Sequence, residues 1–163
     1  MADVQSQIIE VCVFRRGEGA TQYLLLQRAS GEKLYPNIWQ IVTGTINAGE
    51  TAVEAALREL KEETDLTVRR FWTVPWVDSY YDSTKDVIQA VPVFAAEIDP
   101  GNSVRLSGEH QKHEWLSCDD AKDKLVWPGQ RMVIDVVHEF ISSHAEAATL
   151  LELKNVNFGG KSL

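Results

Sequence analysis

Residues 44–66 read GTINAGETAVEAALRELKEETDL, and no other part of the chain carries as much structural information. Thr51-Ala52-Val53-Glu54 has the form of a capping box: Thr51 accepts from the first turn and Glu54 reaches back. Val53, Ala56, Leu57 and Leu60 follow at helical spacing. They predict a helix to about Thr64 with these four residues on its core-facing side. Glu59, Glu62 and Glu63 stand at i, i+3 and i+4, which puts three carboxylates on one face, opposite the apolar one. On an exposed helix such like charges repel by roughly a few tenths of a kcal/mol per pair. Arg58, four residues before Glu62, supplies one countercharge. A hard divalent cation such as Mg²⁺, which takes oxygen ligands and keeps several waters, would supply more.

On the N-terminal side, 7–14 and 22–27 read as strands around the turn residues Gly17-Glu18-Gly19. Residues 28–37 read as a loop and 39–42 as a short buried strand. Residues 43–49, with Gly44, Asn47 and Gly49, read as a loop by composition. On the C-terminal side, 67–77, 87–98 and 112–116 read as strands, and Pro92 inside the second predicts an edge or a bulge. Asp99-Pro100-Gly101-Asn102 is a turn. Trp127-Pro128 opens a second long helix, with proline near its first position. Its apolar stripe is Met132/Val133, Val136/Val137 and Phe140/Ile141. This order predicts an α/β fold, a mixed sheet between helices. One domain is expected over 1–163, with its core at about 6–144. The tail, 145–163, carries Leu150, Leu151 and Leu153, ends on a polar Gly159-Gly160 stretch, and has no functional reading.

The chain has 163 residues, of which 44% are apolar and 25% charged, which argues against disorder, collagen and coiled coil. No apolar run approaches the ~18–20 residues of a membrane span, so no membrane partner is expected. No secretory signal is visible in MADVQSQ. Cys12 and Cys118 lie far apart and are expected to be reduced thiols, making the cytoplasm the expected compartment. Sixteen basic against 24 acidic side chains leave a net charge of −8, which repels a nucleic-acid backbone; a nucleic-acid polymer is not the expected partner. A phosphate ligand would need a local basic cluster or metal ions recruited by carboxylates. The sequence leaves the oligomeric state open.

The 44–66 stretch resembles the box of the Nudix (MutT-type) hydrolase family, G-x5-E-x7-R-E-U-x-E-E-x-G-U, where U is bulky and apolar. Gly44, Glu50, Arg58, Glu59, Leu60, Glu62, Glu63 and Leu66 match in register. The late glycine is Asp65 here, a residue that can also take the left-handed conformation a helix end needs. The resemblance implies an α/β/α sandwich and a Mg²⁺-dependent (or Mn²⁺-dependent) pyrophosphohydrolase acting on a small phosphoanhydride. It implies that Glu59, Glu62 and Glu63 carry metal and that the Gly44 carbonyl adds a ligand. Arg58 would hold the acidic residues in place through an ion pair to Glu50. Family members often use a further acidic residue from a distant loop. Glu109 is the candidate and Glu114 its rival. As general base, Glu109 comes first and Glu62 second.

Outside the box, Arg28 is a candidate fork for a phosphate group, with Lys33 weaker. His110 and His113 are candidate phosphate-side donors. Tyr35, Trp39 and Trp127 are candidates to stack on a ring, against a competing role in core packing. Trp72, Trp76, Tyr80 and Tyr81 are the next aromatics to consider. The runs WQIVTG at 39–44 and E-H-x4-W-L at 109–116, with Trp127 and Arg131, are similar to the dihydroneopterin triphosphate pyrophosphatase branch of the family. Nucleoside and deoxynucleoside triphosphates are the next substrates implied, then dinucleoside polyphosphates and nucleoside-diphosphate sugars. A rival from another class is a nucleotide-sensing Nudix module without catalysis. Such modules commonly lose box glutamates, and this chain keeps them.

Overall fold

The computed structural model describes residues 1–158, so the expected Gly159-Gly160 end lies outside the described residues. Eight strands form one mixed sheet: β1 (Asp3–Gln5), β2 (Ile8–Arg15), β3 (Gln22–Arg28), β4 (Trp39–Gln40), β5 (Val42–Thr45), β6 (Val68–Asp82), β7 (Val87–Ile98) and β8 (His110–Leu116). β1 and β2 run parallel to β7, and the remaining pairs are antiparallel. The helices are α1 (Ala52–Thr64), α2 (Cys118–Lys124), α3 (Pro128–Val137), which continues as a π-helical turn over His138–Ser142, and α4 (Glu146–Leu150).

β2 is buried on both faces, which is why it reads as an almost continuous apolar run. Ile9, Val11 and Val13 face α1 and pack with Ala55, Ala56, Leu60 and Phe94. Cys12 and Phe14 face α3 and pack with Tyr23, Trp72, Val133, Ile134 and Val137. These two cores make the α/β/α sandwich.

The capping box forms: Thr51 N donates to Glu54 Oε2 at 2.7 Å, and Glu54 N to Thr51 Oγ1 at 3.2 Å. Asp65 ends α1 at φ 56°, and its N–H bonds Lys61 O, so the departure from the box glycine still closes the helix in the left-handed region. The buried face of α1 differs from the expected one. Ala55, Ala56, Leu60, Glu63 and Thr64 are buried, whereas Val53 and Leu57 are only half-buried. The three glutamates therefore do not share a solvated face.

Other elements refine the sequence reading. The 39–42 strand is two short strands, and Gly44 lies in β5 rather than in a loop, because Thr43, Gly44 and Thr45 pair with Glu10, Ile9 and Ile8. β6 runs on to Asp82, and the irregularity tied to Pro92 falls opposite it. The β6 register shifts between Thr73 and Val77, and Val77 pairs with Pro92 in an interior strand. The α3 stripe is centred on Val133, Ile134, Val137 and Ile141, leaving Met132 and Phe140 exposed. The tail packs along β6: Leu153 N donates to Phe71 O at 2.8 Å, and Trp72 Nε1 to Ala148 O at 2.8 Å.

Candidate active site

The loop after β5 and the first turns of α1 are tied together by Arg58. Its Nε and Nη2 bond Glu50 at 2.7 and 2.8 Å, and Nη2 also bonds Thr45 O at 2.8 Å. Its Nη1 reaches Glu59 at 2.7 Å and Glu62 at 3.3 Å. The ion pair expected between Arg58 and Glu50 is present. The fork and the Asn47 N–H hold the Glu50 carboxyl down at about 2. Arg58 is thus a hub that orients the carboxylates.

Glu59 turns toward β5. A Cβ on Gly44 would fall inside the Glu59 carboxylate, so only glycine lets the strand backbone and this carboxylate approach so closely. Glu63 is 2% exposed, and its Oε2 has no partner. Burial first, then the charges of Glu59 and Glu109, push Glu63 up to about 9, against the opposing pull of Arg28 and the Thr43 N–H. Glu62 points outward, its side chain 60% exposed. Glu109 is exposed, on a loop anchored to the end of β3 by Ala29 N donating to Glu109 O at 2.8 Å.

Gly44 of a strand and Glu59 of a helix are in close contact, and Glu63 is near enough to Glu59 and to Glu109 of a distant loop to feel both charges. Among the described residues no three His, Cys, Asp or Glu side chains are already drawn together as a cage, since Arg58 bonds Glu59 and Glu62. The chemistry of the place still fits a hard cation. The donors are all oxygen, one buried carboxylate oxygen is orphaned, and the mutual repulsion calls for positive charge.

The other expected residues divide. Arg28 Nε bonds Leu34 O at 2.9 Å and Nη2 bonds Glu32 at 3.2 Å, so its fork braces the loop after β3. Glu114 is paired with Lys124 at 2.6 Å, away from the box. His110 corrects its expectation: it is 4% exposed, faces Gln40 Nε2 at 3.1 Å, and is pushed down to about 4 by burial and by Arg28. It is a neutral buried ring, while His113 is exposed. Trp39 packs on the α3-side core with Lys124 Nζ 4.4 Å above its ring, so that face is covered. Tyr35 and Trp127 meet edge to face at 5.0 Å, and both are partly exposed. Arg131 Nε bonds Leu125 O at 2.7 Å. Trp72 is a core residue, its ring tilted against Phe14 at 5.6 Å.

Sequence reasoning passed over a polar group on the other face of the sheet: the buried Glu10, Gln89 and Gln130, with the half-buried Asp78 beside Glu10. One signal was available, the single charge in the apolar run IIEVCVF.

A family model described as NUDIX domain matches residues 7–137, and the chain belongs to the Nudix family. Over 126 residues it is 34% identical to an octanoyltransferase of Myxococcus xanthus; the match covers 73% of this chain but 33% of that longer protein. It is 29% identical over 111 residues to the asymmetrical bis(5'-nucleosyl)-tetraphosphatase of Caenorhabditis elegans, covering 67% of this chain and 77% of the relative. The Escherichia coli dihydroneopterin triphosphate pyrophosphohydrolase shares the fold at a TM-score of 0.66 and 22% identity, over 84% of this chain and 99% of the other.

Proposed function

We propose that the chain is a Mg²⁺-dependent pyrophosphohydrolase that cleaves a phosphoanhydride bond in a small nucleoside-triphosphate-like substrate, dihydroneopterin triphosphate or a nucleoside or deoxynucleoside triphosphate. The observation that carries this reading is Glu63, a buried carboxylate beside Glu59 and Glu109 with one oxygen unpartnered. Glu59, Glu62, Glu63, Glu109 and the Gly44 carbonyl hold Mg²⁺ in this reading, and the same oxygen set accepts Mn²⁺. When bound, the ion supplies positive charge against the diphosphate and acidity to a water placed for in-line attack on phosphorus. Glu109, which is exposed, takes the proton from that water in this reading, with Glu62 as the second candidate. Arg58 keeps Glu50, Glu59 and Glu62 oriented. Arg28, Tyr35, Trp39, Trp127 and Arg131 are the residues this reading assigns to the rest of the substrate, and of these rings Tyr35 and Trp127 are the exposed ones.

The test compares two glutamates on one helix. Pyrophosphate and phosphate release from a triphosphate panel is measured with Mg²⁺ and with EDTA. Glu63→Gln should lower kcat by roughly a hundredfold or more while the protein stays folded, because a ligand carboxylate supports charge in the transition state. Glu54→Gln, in the capping box, should cost stability but little activity. Equal losses at both positions, or release indifferent to EDTA, would sink the assignment.

A further inference from the structure

A second polar cluster lies on the α3 face of the sheet, next to the carboxylate site but separate from it. Glu10 sits between Thr43 of β5 and Val93 of β7 in the sheet register. Gln130, in the first turn of α3, donates to Glu10 Oε1 at 3.0 Å and to Thr43 Oγ1 at 3.5 Å, and accepts from Ile41 N at 3.4 Å. Glu10 is 5% exposed, yet its Oε2 has no partner. Further along β7 on the same face, Gln89 is 1% exposed, with neither its amide nitrogen nor its oxygen partnered. Asp78 of β6 fills the space a Cβ on Gly129 would need, at the start of α3.

Buried groups of this kind are costly unless something completes their hydrogen bonds. The packing of the sandwich does not need them, since apolar residues would serve both faces of β2. Aromatic residues lie close by. Tyr80 pairs with Gln89 in register, and its hydroxyl, raised first by burial, feels Asp82, Glu10, Tyr35 and Asp78. Tyr35 meets Trp127, the residue just before α3. The phosphate end is close in the chain, because Thr43, bonded by Gln130, directly precedes Gly44.

We propose that this cluster reads the edge of the group attached to the phosphates, with Glu10 as its specificity residue and the 2-aminopyrimidin-4-one edge shared by guanine and pterins as its ligand. A carboxylate only accepts hydrogen bonds and has two oxygens to offer. The matching edge presents two adjacent N–H donors, a ring N–H and an amino group, and 2-aminopyrimidin-4-one has them side by side. Adenine and cytosine place a ring acceptor beside the amino group, which would face Glu10 lone pair to lone pair. Gln130 uses one lone pair of Oε1 and holds it in place, which leaves the second lone pair of Oε1 and the whole of Oε2 for the two donors. The placement of the phosphates rests on the hydrolase reading above; the recognition of the ring does not.

Wild type and Glu10→Gln are compared on dGTP, dihydroneopterin triphosphate and dATP with Mg²⁺. Tryptophan fluorescence, without metal, follows the binding of guanosine, neopterin and adenosine. Wild type should favour at least one aminopyrimidinone triphosphate over dATP, and Glu10→Gln should narrow that ratio of kcat/KM by roughly tenfold or more, mainly through KM. A response confined to dGTP or to the pterin identifies the source of the edge. Hydrolysis of all three alike, or equal losses on all three in Glu10→Gln, would overturn the proposal and leave the hydrolase reading standing. Binding of guanosine or neopterin that weakens in Glu10→Gln, with no triphosphate hydrolysed, would reverse that outcome. Failure of both binding and hydrolysis overturns both.

Discussion

Glu10 bears a physical penalty that can be measured apart from any ligand. Burial, with Asp78 adding to it and the Gln130 hydrogen bond opposing it, pushes this carboxyl from 4.5 up to about 7. The folded protein therefore holds the proton more tightly than the unfolded chain does. Stability falls as pH rises from about 4.5 to 7, and the loss is complete above that range, at a cost on the order of 3 kcal/mol. Glu10→Gln keeps the shape and a partner for Gln130 but cannot ionise. Its thermal midpoint should match wild type near pH 4 and exceed it at pH 8. Parallel curves across that range would mean that Glu10 is solvated. Its one trace in the sequence, a lone charge in the apolar run IIEVCVF, does not say which way the side chain faces. β2 is buried on both faces, so period-two alternation is absent, and only the docking of α3 brings Gln130 onto it. Arg58, by contrast, was legible: helical spacing put Glu62 within its reach, and the resemblance implied its pair with Glu50.

The same divide runs through the elements. α1 could be read from end to end because its start, its periodicity and its stop are all local signals. What could not be read was its rotation. A helix whose buried side holds Glu63 alongside Ala55, Ala56 and Leu60 breaks the polar-out rule at the place where function needs a buried charge. α2 was missed because it is one short stretch, Cys118–Lys124, with a single buried residue, Ala121; its trace in the sequence is the Ser117 cap bonded by Asp120 N at 3.2 Å. The stop of α1 gives an element-scale prediction. Asp65 sits at φ 56° and pairs with Lys61 at 2.7 Å on the surface. Glycine has no steric cost there, and the exposed pair contributes little. Asp65→Gly should keep full hydrolytic activity and change unfolding stability by less than about 1 kcal/mol. A large activity loss without unfolding would make Asp65 a participant in the site rather than a helix stop.

At the scale of the molecule, a chain of net charge −8 gathers Glu59, Glu63 and Glu109 around Gly44 and buries Glu63 among them. α1 lies on one face of the sheet and α3 on the other, and β5 joins them. Gly44 in β5 meets Glu59, and its neighbour Thr43 meets Gln130. The carboxylate site and the Glu10 cluster are thus consecutive residues of one strand seen from its two sides, which only the three-dimensional fold can reveal. A cation that binds the folded carboxylate site and not the unfolded chain must stabilise the fold, by about 2.7 kcal/mol at a hundred times its Kd. Mg²⁺ should therefore raise the thermal midpoint of wild type in a saturating way, at fixed ionic strength. Diffuse screening of the net charge is common to all variants, so the site-specific part is what Glu63→Gln removes. That variant should show a reduced rise with Mg²⁺, although neutralising a buried carboxylate makes it the more stable protein without metal. Glu54→Gln, destabilised but with the site intact, should keep the whole rise. If all three proteins shift equally, Mg²⁺ acts on the surface charge alone and the carboxylates around Gly44 are not its site.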